Sequence, residues 1–289
     1  MAIELKNVSY TYLPQTPFER QALKNVNLSI EEGVLTAIAG HTGSGKSTLL
    51  QHLNGLLAPT QGEVLVDGVN LQGKTKQEKQ AAFKARQAVG MVFQYAENQL
   101  FEETVAADIA FGPKNQKLTA AEIDKRVHEA MELVGLDYDK FAQRVPFQLS
   151  GGQMRRVAIA GVLAMKPKYL VLDEPAAGLD PAGKEALIAQ IKKLQQKNNM
   201  TIVLVSHSME DIASLADSII IMHDGKVLIK DSPRKVFNQT AILAKAGLKR
   251  PQIMDLLAKI NASGIKVNQD ALTINEGIKN ILEGLQRVK

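Results

Sequence analysis

The nine residues from Gly40 to Thr48, GHTGSGKST, constrain this chain more than any other stretch. They fit G-x-x-x-x-G-K-[ST], a loop whose backbone wraps a phosphate chain. Glycine lets that backbone come close enough for several N–H groups to converge on one anion. Such a loop works only between a buried strand and a helix. GVLTAIAG supplies the strand as a short continuous apolar run, and STLLQHLNGLL supplies the helix. The helix turns its positive end towards the same phosphates. Gly40, His41, Thr42, Gly43, Ser44, Gly45, Lys46, Ser47 and Thr48 are therefore the expected nucleotide-binding residues. Lys46 is expected to reach the β- and γ-phosphates, and the Ser47 hydroxyl to ligate Mg²⁺.

Two further apolar runs, YLVLDE and TIVLVSH, read as strands buried on both faces. Parallel strands of one sheet bring their C-terminal ends to a single edge, where ligands bind. That edge then gathers Asp173 and Glu174, His207, and Gln94 at the end of VGMVFQ. An aspartate at a strand tip suits Mg²⁺ held through water, and Glu174 beside it can polarise an attacking water. The helix between the two strands opens with Asp180 as N-cap and Pro181 at its first position.

The rest of the chain surrounds this core. Ile3, Leu5, Val8, Tyr10 and Tyr12 alternate as one strand, and Val26, Leu28 and Ile30 as another. Asp67-Gly68 and Asp224-Gly225 mark hairpin turns. From about residue 95 to 166 the pattern is helical. One helix there opens on Thr119 and Glu122, read as a capping box, and closes at Gly135. Beyond residue 238, Ile253, Leu256, Leu257 and Ile260 recur at helical spacing, as do Ile278, Ile281, Leu282 and Leu285. The fold class is α/β, with an antiparallel β subdomain and a small helical C-terminal appendage.

Composition narrows the function by exclusion. There is no cysteine, which removes disulfides, thiolate metal sites and cysteine nucleophiles. The N-terminus lacks the pattern of a secretory signal, and no apolar run reaches the roughly 18 residues of a spanning helix. A net charge of +5 suits phosphorylated ligands or an anionic surface, or an ordinary solvated surface with extra lysine. It is too small to argue for nucleic acid, and none is expected.

LSGGQ, at Leu149 to Gln153, completes an ordered set with the phosphate loop, Gln94, the acidic strand, AGLD and His207. On these motifs the chain resembles the ATP-binding cassette (ABC) ATPases over roughly residues 1 to 235. One departure is Ala176, where many members carry threonine or serine. The resemblance implies a RecA-like phosphate-loop core with β and helical subdomains, spanning residues 1–238, and an appendage over 239–289. It implies that Tyr12 stacks on adenine, although Tyr10 on the same face leaves an ordinary strand aromatic open. Gln94, Ser47 and Asp173 would hold Mg²⁺. Glu174, His207 and Gln94 would serve hydrolysis. Ser150, Gly151, Gly152 and Gln153 would contact ATP held by a second subunit, and Asp180 would cross the interface.

Finer likeness points to one branch. SYTYLPQTPFERQALKNVNL, VFQYAENQLFEETVAADIAFGPKN and RRVAIAGVLAMKPKYLVLDEPAAGLDP resemble energy-coupling factor importers, the cobalt and vitamin type. TPFERQAL and the appendage resemble the second of their two paired ATPases. This implies an ATP- and Mg²⁺-dependent ATPase peripheral to the cytoplasmic face of the cell membrane. Its partners would be a second ABC ATPase (a heterodimer, with a homodimer open) and a transmembrane coupling protein, with a membrane substrate-binding subunit reached indirectly. The alternatives are a dedicated cobalt or nickel importer, or a soluble ABC ATPase acting on ribosomes, DNA or cofactor assembly. Leu100 and Phe101 are expected to anchor a membrane helix, with Glu97, Glu102 and Glu103 pairing its basic residues or capping a local helix dipole. The appendage either packs on the cassette's back or adds a dimer contact.

Overall fold

Alternating and continuous apolar runs sort into two different sheets. The computed structural model describes residues 2–286; residue 1 and residues 287–289, at the outer ends of the two segments above, lie outside the described residues. The strands are β1 (Ile3–Tyr12), β2 (Arg20–Ile30), β3 (Leu35–Ala39), β4 (Gln61–Val66), β5 (Val69–Asn70), β6 (Val89–Val92), β7 (Tyr169–Asp173), β8 (Thr201–Val205), β9 (Ser218–His223) and β10 (Lys226–Asp231). The alternating ones make an antiparallel sheet, β2-β1-β4-β5. The turn between β4 and β5 has Asp67 and Gly68 at φ +50° and +78°, the left-handed pair that a two-residue hairpin needs. The buried runs make a six-stranded sheet, β10-β9-β3-β8-β7-β6, parallel except for β10 against β9.

The helices are α1 (Lys46–Leu53), α2 (Lys76–Gln87), α3 (Val105–Asn115), α4 (Ala120–Leu133), α5 (Tyr138–Phe141), α6 (Gly151–Leu163), α7 (Pro181–Asn198), α8 (Met209–Leu215), α9 (Pro233–Asn238), α10 (Thr240–Lys245), α11 (Gln252–Ala262) and α12 (Ile274–Gln286). Leu49, Leu50 and Leu53 of α1 are fully buried in a core shared by both sheets. Each such leucine contributes roughly 1.5–3 kcal/mol relative to exposure, so α1 and the loop before it are firmly seated. Leu170 and Leu172 of β7 face a second core built with α3, α4, α6 and α7. Ile219 and Ile221 of β9 face a third, built with α8 to α11.

Three local readings change. The Thr119 hydroxyl accepts the Glu122 N–H, but Glu122 turns to Arg126 and Lys166 instead of closing a capping box. The reciprocal box occurs at Thr75 and Glu78, heading α2, a helix the sequence reading passed over. Only Ala82 of α2 is buried, so there was no apolar stripe to read. In α12 the predicted apolar stripe divides: Ile281 packs against the third core, and the other three residues face outward. Ile278, Leu282 and Leu285 are about half exposed, while Gly277, Asn280 and Gly284 face the chain. A Cβ on Gly277 would meet Ile253 at 2.2 Å, and one on Gly284 would meet Val267 at 2.5 Å. The helix docks by its two glycines, with Asn280 and Ile281 beside them.

Candidate functional site

The phosphate loop leaves β3 and enters α1 with no side chain capping the helix. Gly45 is the N-cap at φ +101°, so the leading N–H groups stay free for an anion. No residue with a side chain fits that conformation, and a Cβ there would also meet the Ala22 carbonyl at 2.7 Å. Lys46 is buried, and its Nζ donates to the carbonyls of Gly40 and His41 at 2.8 and 3.1 Å. Burial lowers its pKa, while the carboxylates of Glu174 and Asp173 push the other way. The ammonium thus waits in a dry place with its donors provisionally occupied.

The ends of β6, β7 and β8 converge on this loop. Asp173 is buried at the tip of β7, and burial first, then the neighbouring Glu174 charge, raises its pKa; Ser47 and Lys46 oppose that shift. Glu174 adopts φ +49°, a sparsely populated conformation for a long side chain. Its Oε1 lies 2.8 Å from His207 Nε2, and Gln94 Nε2 donates to its Oε2 at 3.4 Å. Tyr95, immediately after Gln94, is also left-handed, at φ +60°. Two consecutive strand ends are therefore bent out of their sheet to bring an amide, a carboxylate and an imidazole together.

One cleft gathers all of these groups except Asp173. Tyr12, Thr42, Gly43, Gly45, Lys46, Ser47, Thr48, Gln94, Glu174 and His207 all line it. The Tyr12 hydroxyl sits 3.1 Å from Thr48 Oγ1, and its ring meets Tyr10 edge to face at 4.8 Å. Tyr10 turns inward against His52, which separates the two tyrosines that the sequence placed on one face. Arg20 and Ala22 of β2 also line the cleft; they were missed, because nothing local in β2 marks them. Ser47, Asp173 and Gln94 offer a hydroxyl, a carboxylate and an amide oxygen, the hard oxygen donors that suit Mg²⁺. Gly40, His41, Ser44 and Asp173 do not line the cleft. The Ser44 hydroxyl is buried without a hydrogen-bond partner, and a Cβ on Gly40 would strike the Met222 carbonyl at 2.4 Å.

Ser150, Gly151, Gly152, Gln153 and Asp180 lie outside this cleft. Ser150 and Gln153 close a capping box on α6, and Asp180 caps α7 with Pro181 at its first position. A Cβ added to Gly151 would meet nothing within 4 Å. The chain itself gives no steric reason for that glycine.

The segment after Gln94 overturns two expectations. Leu100 is buried in the core with α3 and α6, so it serves as floor instead of anchor. Glu97 is already taken by Arg155, which is 3% exposed and bonds both carboxylate oxygens. Arg155 also donates to the carbonyls of Pro175 and Ala177, so one guanidinium joins α6, the Gln94 segment and the turn after Glu174. Phe101 remains exposed and stacks edge to face on Phe111 at 4.9 Å. Both line a groove with Phe83 and Leu100. Glu102 and Glu103 form no ion pair among the described residues.

Comparison with known proteins gives consistent matches. The family model described as ABC transporter matches residues 23–177. The energy-coupling factor transporter ATP-binding protein EcfA2 of Clostridium acetobutylicum is 50% identical over 289 residues, covering 100% of both chains. Among solved structures, cbiO1 of Clostridium perfringens, described as part of the ABC transporter complex cbiONQ, superposes with a TM-score of 0.74. It is 36% identical and covers 89% of this chain and 98% of its own. The ATP-binding cassette MJ0796, a dimer in a post-hydrolysis state bound to ADP and Pi, gives a TM-score of 0.70 at 35% identity, covering 80% of this chain and 99% of that one.

Proposed function

The chain belongs to the ABC transporter family, and from that premise we propose that it is the ATP-hydrolysing subunit of an energy-coupling factor importer, the second of its two paired ATPases. The observation that carries the chemistry is the convergence of Lys46, Asp173, Glu174, Gln94 and His207 on one strand edge beside a free helix N-terminus. The loop N–H groups and Lys46 bind the phosphates of ATP. Ser47, Asp173 and Gln94 hold Mg²⁺, which when bound neutralises phosphate charge. Glu174 takes the proton of the attacking water, and His207, 2.8 Å away, orients its carboxylate. Tyr12 offers its ring face to adenine at the mouth of the cleft.

The second half of the site comes from another chain. Ser150 to Gln153 lie at an exposed helix N-terminus, outside their own cleft, with open space at Gly151. That suits contact with the γ-phosphate of a partner ATPase, and Asp180 would reach across the same interface. ATP then shifts the pair towards its closed form, because only there does it touch both halves. The outward isoleucine and leucine face of α12 fits an added contact between the two ATPases that persists without nucleotide.

No described helix is long and apolar enough to cross a membrane. The link to the membrane is assigned to the groove of Phe83, Leu100, Phe101 and Phe111, which takes a coupling helix of a transmembrane partner on the cytoplasmic face. Glu102 and Glu103, which follow Phe101 in the chain, suit basic residues there. The test is co-expression with the candidate membrane partners, purification from membranes and identification of the copurifying chains by mass. A complex with a second ATPase and a membrane protein is expected, and Glu102→Lys with Glu103→Lys should loosen it while sparing the ATPase of the free subunit. Recovery without any membrane partner would overturn the importer reading.

A further inference from the structure

One strand end on the ligand edge is unused by the function above. β9 runs parallel to β3, with Ala39 opposite Ile221, so the chain leaves the two strands side by side. Gly40-His41 departs next to Met222-His223, and Asp224 follows in the hairpin turn. Among the described residues these three side chains are the group in which histidine and carboxylate ligand atoms converge, all within 4.8 Å of one another. His41 Nε2 is 3.7 Å from Asp224 Oδ1, and His223 Nε2 is 3.4 Å from Asp224 Oδ2. The two rings meet at 5.0 Å and 70°, edge to face.

We propose that His41, His223 and Asp224 bind a divalent transition metal of the Zn²⁺ class, which ties the β9–β10 hairpin to the phosphate loop. The chemistry of His41 supports this first. Its Nδ1 lies 2.7 Å from the Thr42 carbonyl, an oxygen that can only accept, so the proton sits on Nδ1. Nε2 is then left with its lone pair free. Ligating histidines are held in this way, by donating the other ring N–H to a backbone carbonyl or carboxylate. His41 Nε2 is shielded from solvent and has no hydrogen-bond partner. A buried ring nitrogen is ordinarily satisfied, and an orphan 3.7 Å from a carboxylate oxygen points to a missing ligand.

The spacing and donor set fit the same class. The 3.4 and 3.7 Å separations leave the carboxylate between two rings without a hydrogen bond to either. Ligands about 2.1 Å from a tetrahedral ion stand roughly 3.4 Å apart, which the two ring-to-carboxylate separations approach, while the three ligand atoms, within 4.8 Å of one another, close the rest on binding. Two imidazoles and one carboxylate, with a fourth position for water, suit Zn²⁺ or Co²⁺ better than the oxygen-seeking Mg²⁺. Asp224 is two-thirds exposed at the hairpin tip, which gives an ion a way in. The His41 side chain does not line the nucleotide cleft.

The consequence reaches the loop through short connections. Gly225 N donates to the Ser44 carbonyl at 3.0 Å, so the hairpin already leans on the loop. The His41 carbonyl accepts from Lys46 Nζ. An ion on the His41 ring therefore restrains the residue whose backbone holds the phosphate-binding lysine.

The test uses the full chain free of any affinity tag, titrated with Zn²⁺ alone and, as an optical probe, with Co²⁺. The variants are His223→Gln and Asp224→Asn, the second chosen because asparagine tolerates the φ of +47° at that position. His128→Gln, on an exposed face of α4, is the control. One equivalent of Zn²⁺ should bind to the native chain and the control, and at least about tenfold more weakly to each variant. Co²⁺ should give the intense visible bands of a four-coordinate site only where binding is retained, and Zn²⁺ should raise the melting temperature of the native chain but not of the variants. Basal ATPase should be unchanged in His223→Gln without added metal. Absence of stoichiometric Zn²⁺ binding, or binding undiminished in both folded variants, would overturn the site.

Discussion

The phosphate loop and the LSGGQ turn are both glycine-bearing helix N-termini, yet the chain packs closely on the glycines of one and leaves open space at Gly151 of the other. At Gly40 and Gly45 an added Cβ would strike backbone oxygens of Met222 and Ala22, at 2.4 and 2.7 Å. At Gly151 it would meet nothing within 4 Å. The first glycines are demanded by the chain's own packing. The last is demanded, if at all, by something that arrives from outside. That difference is what the proposed completion of the site by a partner chain would require.

That comparison can be broken from either side. Glu174→Gln should keep ATP binding at the phosphate loop but lower turnover of the assembled ATPase by roughly 10²-fold or more, the size of a lost general base. Near-normal hydrolysis would remove Glu174 from its role. Gly151→Glu puts a carboxylate at the open half, where a partner's γ-phosphate is proposed to lie. Like-charge contact across an interface costs several kcal/mol, so turnover of the pair should drop by about tenfold or more. Nucleotide affinity of the isolated chain should not move. If both quantities fell together, the open half would not be open.

A smaller effect contrasts the ligand edge of the six-stranded sheet with its opposite edge. Burial works against the Asp67 carboxylate, but hydrogen bonds from Tyr169 and Lys168 outweigh it and hold its pKa below the ordinary value. Its contribution is present above the unfolded carboxylate pKa and is lost as pH falls through the lowered folded value. Asp67→Asn should cost on the order of 1 kcal/mol or less at neutral pH, since the side chain is 42% exposed and screened. In denaturant melts that difference should vanish in acid. Asp173 has the opposite sign, because its pKa is raised. Charged, it burdens the nucleotide-free fold, and protonation relieves that burden as pH falls. Asp173→Asn should therefore stabilise the nucleotide-free chain at neutral pH. A loss of stability there would show that Asp173 is structural.

Much of this was written in local residue order. The phosphate loop, the strand-end acids and the two Asp-Gly turns depend on neighbours a few residues apart, and they occur where the pattern put them. The errors share another cause. Glu97 lies among acids and apolar residues that look like a surface, and its partner Arg155 is 58 residues away. Leu100 looked available for the same reason. α12 has the right stripe, but no periodicity says which side a helix will dock, and here two glycines fit closer than any leucine could. Asp224 was legible as a turn residue, while its approach to His41 required the parallel register of β3 and β9.

Arg155 carries a mechanical consequence. Its guanidinium binds Glu97, Pro175 and Ala177 at once from a site that is 3% exposed. Rotation of α6 against the β7 tip would have to break those bonds in a place with little water to replace them. The LSGGQ helix, the segment carrying Phe101 and the turn after Glu174 are thus geared together. A push on the Phe101 groove should be delivered to the Glu174 carboxylate as displacement, with little lost as slack along the way.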